Sequence, residues 1–195
     1  MWVENLRIVR FREVKREIRV VGLDDGNIIR KNMDKVNLVG VIFRGGDWLD
    51  GVLRTKIKVD GFDSTNKIVS MVKNSSHYGQ IRVLMLGKMF FGNTNMVDGE
   101  KVWRKLKKPV MVFVKKSLNF KKVKEKFKNS LNGEEKLDLL EKLMNQPYLD
   151  FGENRIYLYG VDVEDAEKIL RVSSKNFFPE SLRIASLVAS ALNKM

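Results

Sequence analysis

Residues 18–26 read Ile18-Arg19-Val20-Val21-Gly22-Leu23-Asp24-Asp25-Gly26. The run 18–23 has strand length and is rich in β-branched residues, and it ends in two adjacent carboxylates followed at once by a glycine. A strand that delivers an acid pair to its own exit places negative charge where oxygen ligands can hold a divalent cation. Phosphodiester-cleaving sites are built from that arrangement. Asp-Gly is also a common turn dipeptide, so the pair taken alone reads first as the plain end of a strand.

The flanking sequence adds to it. Residues 36–43 form a second apolar run that leads into Arg44-Gly45-Gly46-Asp47-Trp48-Leu49-Asp50-Gly51, and residues 52–59 form a third that ends in Asp60-Gly61-Phe62-Asp63. One strand, an antiparallel pair, and then a helix from Ser64 make the opening of a ribonuclease H-like fold. Helical spacing of Ile68, Met71 and Val72 supports a helix over 64–74, closed by a polar loop that carries His77. Residues 81–86 are continuously apolar, as a central parallel strand covered on both faces should be. Further helices are expected over 95–106, 120–128, 134–145 and 163–171, strands over 109–114 and 155–159, and a last helix from Pro179, which suits a first-turn position. The expected architecture is α/β, a ribonuclease H-like three-layer domain whose mixed central β-sheet is flanked by helices. The strands beginning at Ile81 and Pro109 should run parallel to the first.

With 195 residues, 44% of them hydrophobic, the chain has the length of one ordinary domain and the material for a full core. Residues 1–195 read as one unit, with 1–16 a charged arm. Cysteine is absent, which excludes disulfides, thiolate metal sites and cysteine nucleophiles, and a lone His77 argues against a histidine zinc site or a serine triad. Neither a signal-type apolar core nor a membrane-length apolar run is present, so a cytoplasmic protein without a membrane partner is expected. The net charge of +13 is concentrated: residues 101–128 hold twelve lysines and arginines against the single acid Glu125. Such a stretch makes a footprint for a polyanion, DNA above all, although a solvated lysine-rich surface has the same composition.

The Gly-Leu-Asp-Asp-Gly stretch, the Arg-Gly-Gly-Asp-Trp-Leu-Asp-Gly hairpin and Val59-Asp60-Gly61-Phe62-Asp63-Ser64-Thr65 together resemble the archaeal domain-of-unknown-function 99 family, also labelled endonuclease dU, a distant relative of endonuclease V. Later landmarks at 80–86, Phe91-Gly92, 95–98, 109–116, 160–166 and Pro179-Glu180-Ser181-Leu182-Arg183-Ile184-Ala185 extend the resemblance over residues 18–191. It implies a Mg2+- or Mn2+-dependent endonuclease that nicks DNA beside a deaminated base, uracil or hypoxanthine. The resemblance makes Asp24 the first-strand metal ligand, with Asp25 typical of the family and Asp63 the candidate second acid, in competition with Asp60. Lys115 matches a lysine that relatives place near the scissile phosphate, where it would oppose charge developing on the phosphoryl oxygens. The basic residues expected on DNA are Lys105, Lys108, Lys115, Lys116, Lys121, Lys124 and Lys128.

Two positions depart from the family pattern. Relatives carry an aspartate at the exit of the fourth strand, where this chain has Gly87 followed by Lys88, and a histidine or aspartate in the last helix, where it has Ser186. Glycine supplies no ligand, Lys88 repels a cation, and serine is no general base at neutral pH. Three function classes follow: a damage-specific endonuclease, a weakened or inactive relative that binds nucleic acid, and a scaffold. Asp98 reaching back, or a carboxylate restored at position 87, would complete the oxygen cage.

Overall fold

The apolar runs become strands and their spacing sets a sheet. The computed structural model describes residues 8–27 and 33–195. Along the chain it has strands β1 (Arg19–Asp24), β2 (Lys35–Arg44) and β3 (Trp48–Lys58), then helix α1 (Ser64–Lys73) and strand β4 (Val83–Leu86). The short pair β5 (Phe90–Phe91) and β6 (Asn95–Met96) precedes α2 (Gly99–Leu106), β7 (Val110–Lys115), α3 (Phe120–Lys128) and α4 (Gly133–Met144). Strands β8 (Tyr148–Phe151) and β9 (Asn154–Tyr159), helix α5 (Val163–Ser173), the pair β10 (Ser174–Lys175) and β11 (Phe178–Pro179), and helix α6 (Glu180–Leu192) complete it.

Seven strands form one mixed sheet in the order β3-β2-β1-β4-β7-β9-β8. The β2–β3 hairpin is antiparallel, and β4 and β7 run parallel to β1, as the sequence indicates. Buried side chains of α1, α2, α3 and α4 pack on one face, including Ile68, Val102, Phe127 and Leu140. Helices α5 and α6 cover the other through Ile169, Leu170, Leu182 and Ala185. Strands β1 and β4 are therefore apolar on both sides, as strands sandwiched between helices must be. The result, among the described residues, is a mixed α/β fold with six helices around a seven-stranded sheet.

Four details differ from expectation. Asn95 and Met96 form a strand with Phe90 and Phe91 instead of opening a helix, because the Asn95 side chain is committed to Ser64, Lys58 and Asp63; α2 starts at Gly99, capped by Asp98. Strand β8 is an edge strand of alternating exposure that propensity alone does not mark. The two-residue strands β10 and β11 lie below the length at which periodicity carries information. Pro179 is the N-cap of α6 and not its first helical residue. Of the charged arm, residues 1–7 lie outside the described residues. Further on, the Val9 N–H donates to the Gly160 carbonyl and the Phe11 N–H to Asp165 Oδ2, so this part is fastened to the end of β9 and the first turn of α5. No helix among the described residues is long and apolar enough to cross a membrane.

Candidate functional site

Because β1, β4 and β7 are adjacent and parallel, their carboxyl ends share one edge of the sheet. Asp24 ends β1, Gly87 follows β4, and Lys115 ends β7. The crevice beyond such strand ends is where open α/β sheets bind ligands. Here it is a cavity of about 670 Å3 whose lining includes Asp24, Gly87, Lys88 and Lys115.

Helix α6 roofs the cavity, and two glycines let it descend onto β1. A Cβ at Gly22 would stand 2.5 Å from the Ser181 carbonyl carbon and 2.6 Å from the Leu182 nitrogen. One at Gly26 would stand 2.5 Å from Ser190 Oγ, and Gly26 also has a positive φ of 73° that favours glycine. The close approach brings Ser186 and Ser190 over the exit of β1. There the Ser186 hydroxyl bonds the Asp24 carboxylate and Ser190 Oγ accepts from the Asn27 N–H at 3.1 Å. Asn193 then holds the turn from behind, donating to the Asp25 carbonyl at 2.9 Å.

Asp24 is only 5% exposed. Its Oδ1 accepts the Gly26 N–H at 2.7 Å. Burial lifts its pKa to about 6, against the pull of Lys88 and of bonds from Gly26 and Ser186; the charge of Asp25 adds to the rise. Asp25 is 2% exposed but does not line the cavity: its Oδ1 accepts from Lys88 Nζ at 2.6 Å and its Oδ2 from the Gly92 N–H at 2.7 Å. Lys88 Nζ also donates to the Gly26 carbonyl and lies 3.6 Å from Asp24 Oδ1. Burial draws the Lys88 ammonium down, but the two aspartates outweigh it and hold it above the ordinary lysine range.

The other predicted acids are elsewhere. Asp63 Oδ1 accepts from the Lys58 N–H at 3.1 Å and Asn95 Nδ2 at 2.7 Å. Asp60 Oδ1 accepts from Asn93 Nδ2 at 2.6 Å and Thr94 Oγ1 at 2.9 Å. Both fasten the segment after β4 to the end of β3, and neither lines the cavity. Asp98 turns into its own helix, accepting the Lys101 N–H at 2.8 Å, and so does not replace the missing acid. Among the described residues no three or more histidines, cysteines or acids are grouped to hold a metal ion. The donors as placed do not fit Mg2+ or Mn2+ held by Asp24, Asp25 and Asp63. Asp24 alone of the three faces the cavity, an ammonium already bridges the aspartate pair, and Gly87 adds no carboxylate.

A carboxylate at position 87 would not simply join Asp24, since a Cβ there stands 2.3 Å from Asp24 Oδ2. Glu153, Asn154 and Arg183, which no motif in the sequence marks as site residues, also line the cavity. Asn154 pairs with Lys115 across β9 and β7, one residue before the strand expected over 155–159, whose antiparallel pairing with β7 the sequence did not indicate. His77 lies against Gly51, far along the chain from these elements, and does not line the cavity.

The basic stretch divides. Lys115 lines the cavity and Lys116 lies 3.8 Å from Asp150. Lys121, Lys124 and Lys128 are exposed on α3, which follows directly after the cavity-lining Leu118. Lys105 and Lys108, by contrast, precede β7 and so flank the opposite end of the sheet. There Lys108 Nζ donates to the Ile81 carbonyl at 2.6 Å and sits over the Tyr78 ring.

The sequence profile of the endonuclease dU family matches residues 16–193. A UPF0215 protein of Methanosarcina mazei is 39% identical over 184 residues, covering 92% of each chain. One from Pyrococcus furiosus is 37% identical over 184 residues, with 93% of this chain and 95% of that one covered. Among solved structures, an Archaeoglobus fulgidus protein of unknown function superposes with a TM-score of 0.80 at 32% identity, over 89% of this chain and 96% of that one. Endonuclease V of Ciona intestinalis, in complex with DNA containing an inosine followed by a ribo-adenosine, gives a TM-score of 0.55 at 14% identity, covering 90% and 86%. Human endonuclease V gives 0.58 at 14%, covering 90% and 84%. At that identity the endonuclease V likeness is one of fold.

Proposed function

The chain belongs to the endonuclease dU family, and from that premise we propose that it is a nuclease acting on DNA that contains a deaminated base, uracil or hypoxanthine. In this reading the sheet and its two helical layers are one ribonuclease H-like domain. The observation that carries the proposal is that Asp24 and Lys115 line one cavity at the carboxyl ends of the parallel strands β1 and β7, on either side of β4.

Asp24 is buried, yet with a pKa of about 6 it is ionised at neutral pH and basic enough to accept a proton from water. The water oxygen forms a bond to phosphorus, its proton passes to Asp24, and the bond from phosphorus to the leaving sugar oxygen breaks. That oxygen takes its proton from solvent. The Lys115 ammonium opposes the charge that grows on the phosphoryl oxygens. The exposed lysines of α3 carry the flanking strand. No step passes through Mg2+ or Mn2+, because the acids do not form a cage for it.

The test is strand nicking of duplexes with a single uracil or hypoxanthine, scored beside an undamaged duplex, by the native chain, Asp24→Asn and Lys115→Ala. Native protein should nick the damaged strand, and loss of the base should slow it by about 10²–10⁴-fold. Equal rates for native and Asp24→Asn would refute the assignment. A second reading is binding without cutting, favoured by the Lys88 bridge across the aspartates. It predicts native protein that holds the damaged duplex and leaves it intact.

A further inference from the structure

We propose that Lys88 is the resident cation of this site: its ammonium takes the position between Asp24 and Asp25 that a divalent ion would need, and holds the acid turn in shape without one. The inference rests on the reading of the cavity as a phosphodiester site.

An ammonium has three N–H donors and no acceptor. Lys88 meets three oxygens: Asp25 Oδ1 at 2.6 Å, the Gly26 carbonyl, and Asp24 Oδ1 at 3.6 Å. Its side chain is 34% exposed, but the carboxylates it meets are buried, at 8% and 3%, so the bridge is screened less than a pair on the open surface. A metal ion at these oxygens would have to approach a fixed positive charge at close range, and could do so only by expelling it. The glycine next door belongs to the same arrangement. Asp24 Oδ2 fills the space that a Cβ at position 87 would take, so the chain accommodates the Asp24 carboxylate where a second acid would crowd it.

Around the ammonium the facing charges are Asp24 and Asp25. Lys115, Glu153 and Arg183 also line the cavity, the last bonded to Glu180 at 2.7 Å. Two acids with one lysine leave a single negative charge, against which Lys115 is set. Lys88 is thus a positioning residue: it pairs with Asp25 and fixes Asp24 through the Gly26 turn. The Asp24 proton-accepting oxygens then remain directed at the cavity.

Mn2+ titration, followed by electron paramagnetic resonance and calorimetry, separates this from a merely structural lysine. The native chain should bind no stoichiometric Mn2+ up to about 1 mM, and chelator should leave its melting temperature unchanged. Lys88→Met keeps the length and removes the charge; it should bind one Mn2+ at least about tenfold more tightly than native, and adding Asp24→Asn should abolish that gain. A native chain that binds one Mn2+ below about 0.1 mM, with loss in Asp24→Asn, would overturn the proposal. So would a folded Lys88→Met that takes up no more Mn2+ than native. If Lys88→Met does not fold, the native titration and Lys88→Arg decide, both being expected to stay silent. Nicking is scored separately. Its absence would sink the nuclease reading and leave the Mn2+ result standing, whereas tight native Mn2+ binding would sink only the role of Lys88.

Discussion

Asp24 is held in its place at a cost to stability, and that cost has a sign. Its pKa rises from the usual 3.8 to about 6 on folding, so the folded chain binds the proton more tightly than the unfolded one. Stability therefore declines as pH rises from about 4 through 6, and the ionised form destabilises above that window. Asp24→Asn should be more stable than native at pH 8, by up to about 2–3 kcal/mol, and equal to it near pH 4, as read by denaturant unfolding. If Asp24 is the base, the nicking rate should also fall below about pH 6, as the carboxylate takes up a proton. Gly87→Ala sets a Cβ 2.3 Å from Asp24 Oδ2. It should lower stability by about 1–3 kcal/mol and displace the carboxylate, with nicking reduced more than DNA binding. Gly87→Asp should show the same crowding and no restored metal site.

At the scale of elements, the approach of α6 to β1 makes the site. Gly22 meets backbone atoms of Ser181 and Leu182, which cannot yield as the tip of a side chain can. Gly22→Ala should destabilise by about 3 kcal/mol and lift Ser186 and Ser190 from the exit of β1. A circular-dichroism melt would show an undiminished transition if the helix had room to spare. The directions of β1, β2, β3, β4 and β7 were legible because continuous apolar runs have a strand period and a crossover rule behind them. Asp24 and Lys115 were legible for the same reason, since each terminates a strand and inherits its direction. Asp60, Asp63 and Asp98 were not, because side chains in loops and caps point wherever local donors draw them. Here the donors are Asn93, Thr94, Asn95 and the first turn of α2. Glu153 and Asn154 stayed hidden with β8, a four-residue edge strand of mixed polarity.

Over the whole molecule, the net charge of +13 has a direction that the linear sequence conceals. Residues 101–128 run helix, strand, helix, so a stretch continuous in sequence passes from one end of the sheet to the other. Lys115, Lys121, Lys124 and Lys128 follow the cavity side, while Lys105 and Lys108 flank the far end. Affinity for duplex DNA should fall steeply with salt, and charge reversal at Lys121, Lys124 and Lys128 should reduce the log–log slope by about 2–3. Reversal at Lys105 should leave the slope nearly unchanged, and an equal effect at both ends would mean that the positive surface is unspecialised. All of this depends on DNA entering at the carboxyl ends of β1, β4 and β7. The most direct measurement is a crystal structure of the Asp24→Asn chain with a duplex that carries one uracil. A backbone phosphate beside the damaged nucleotide is expected within about 3 Å of Lys115 Nζ, above the position of Asp24, with the flanking strand along α3. A duplex lying against Lys105 and Lys108, with the cavity untouched, would contradict it.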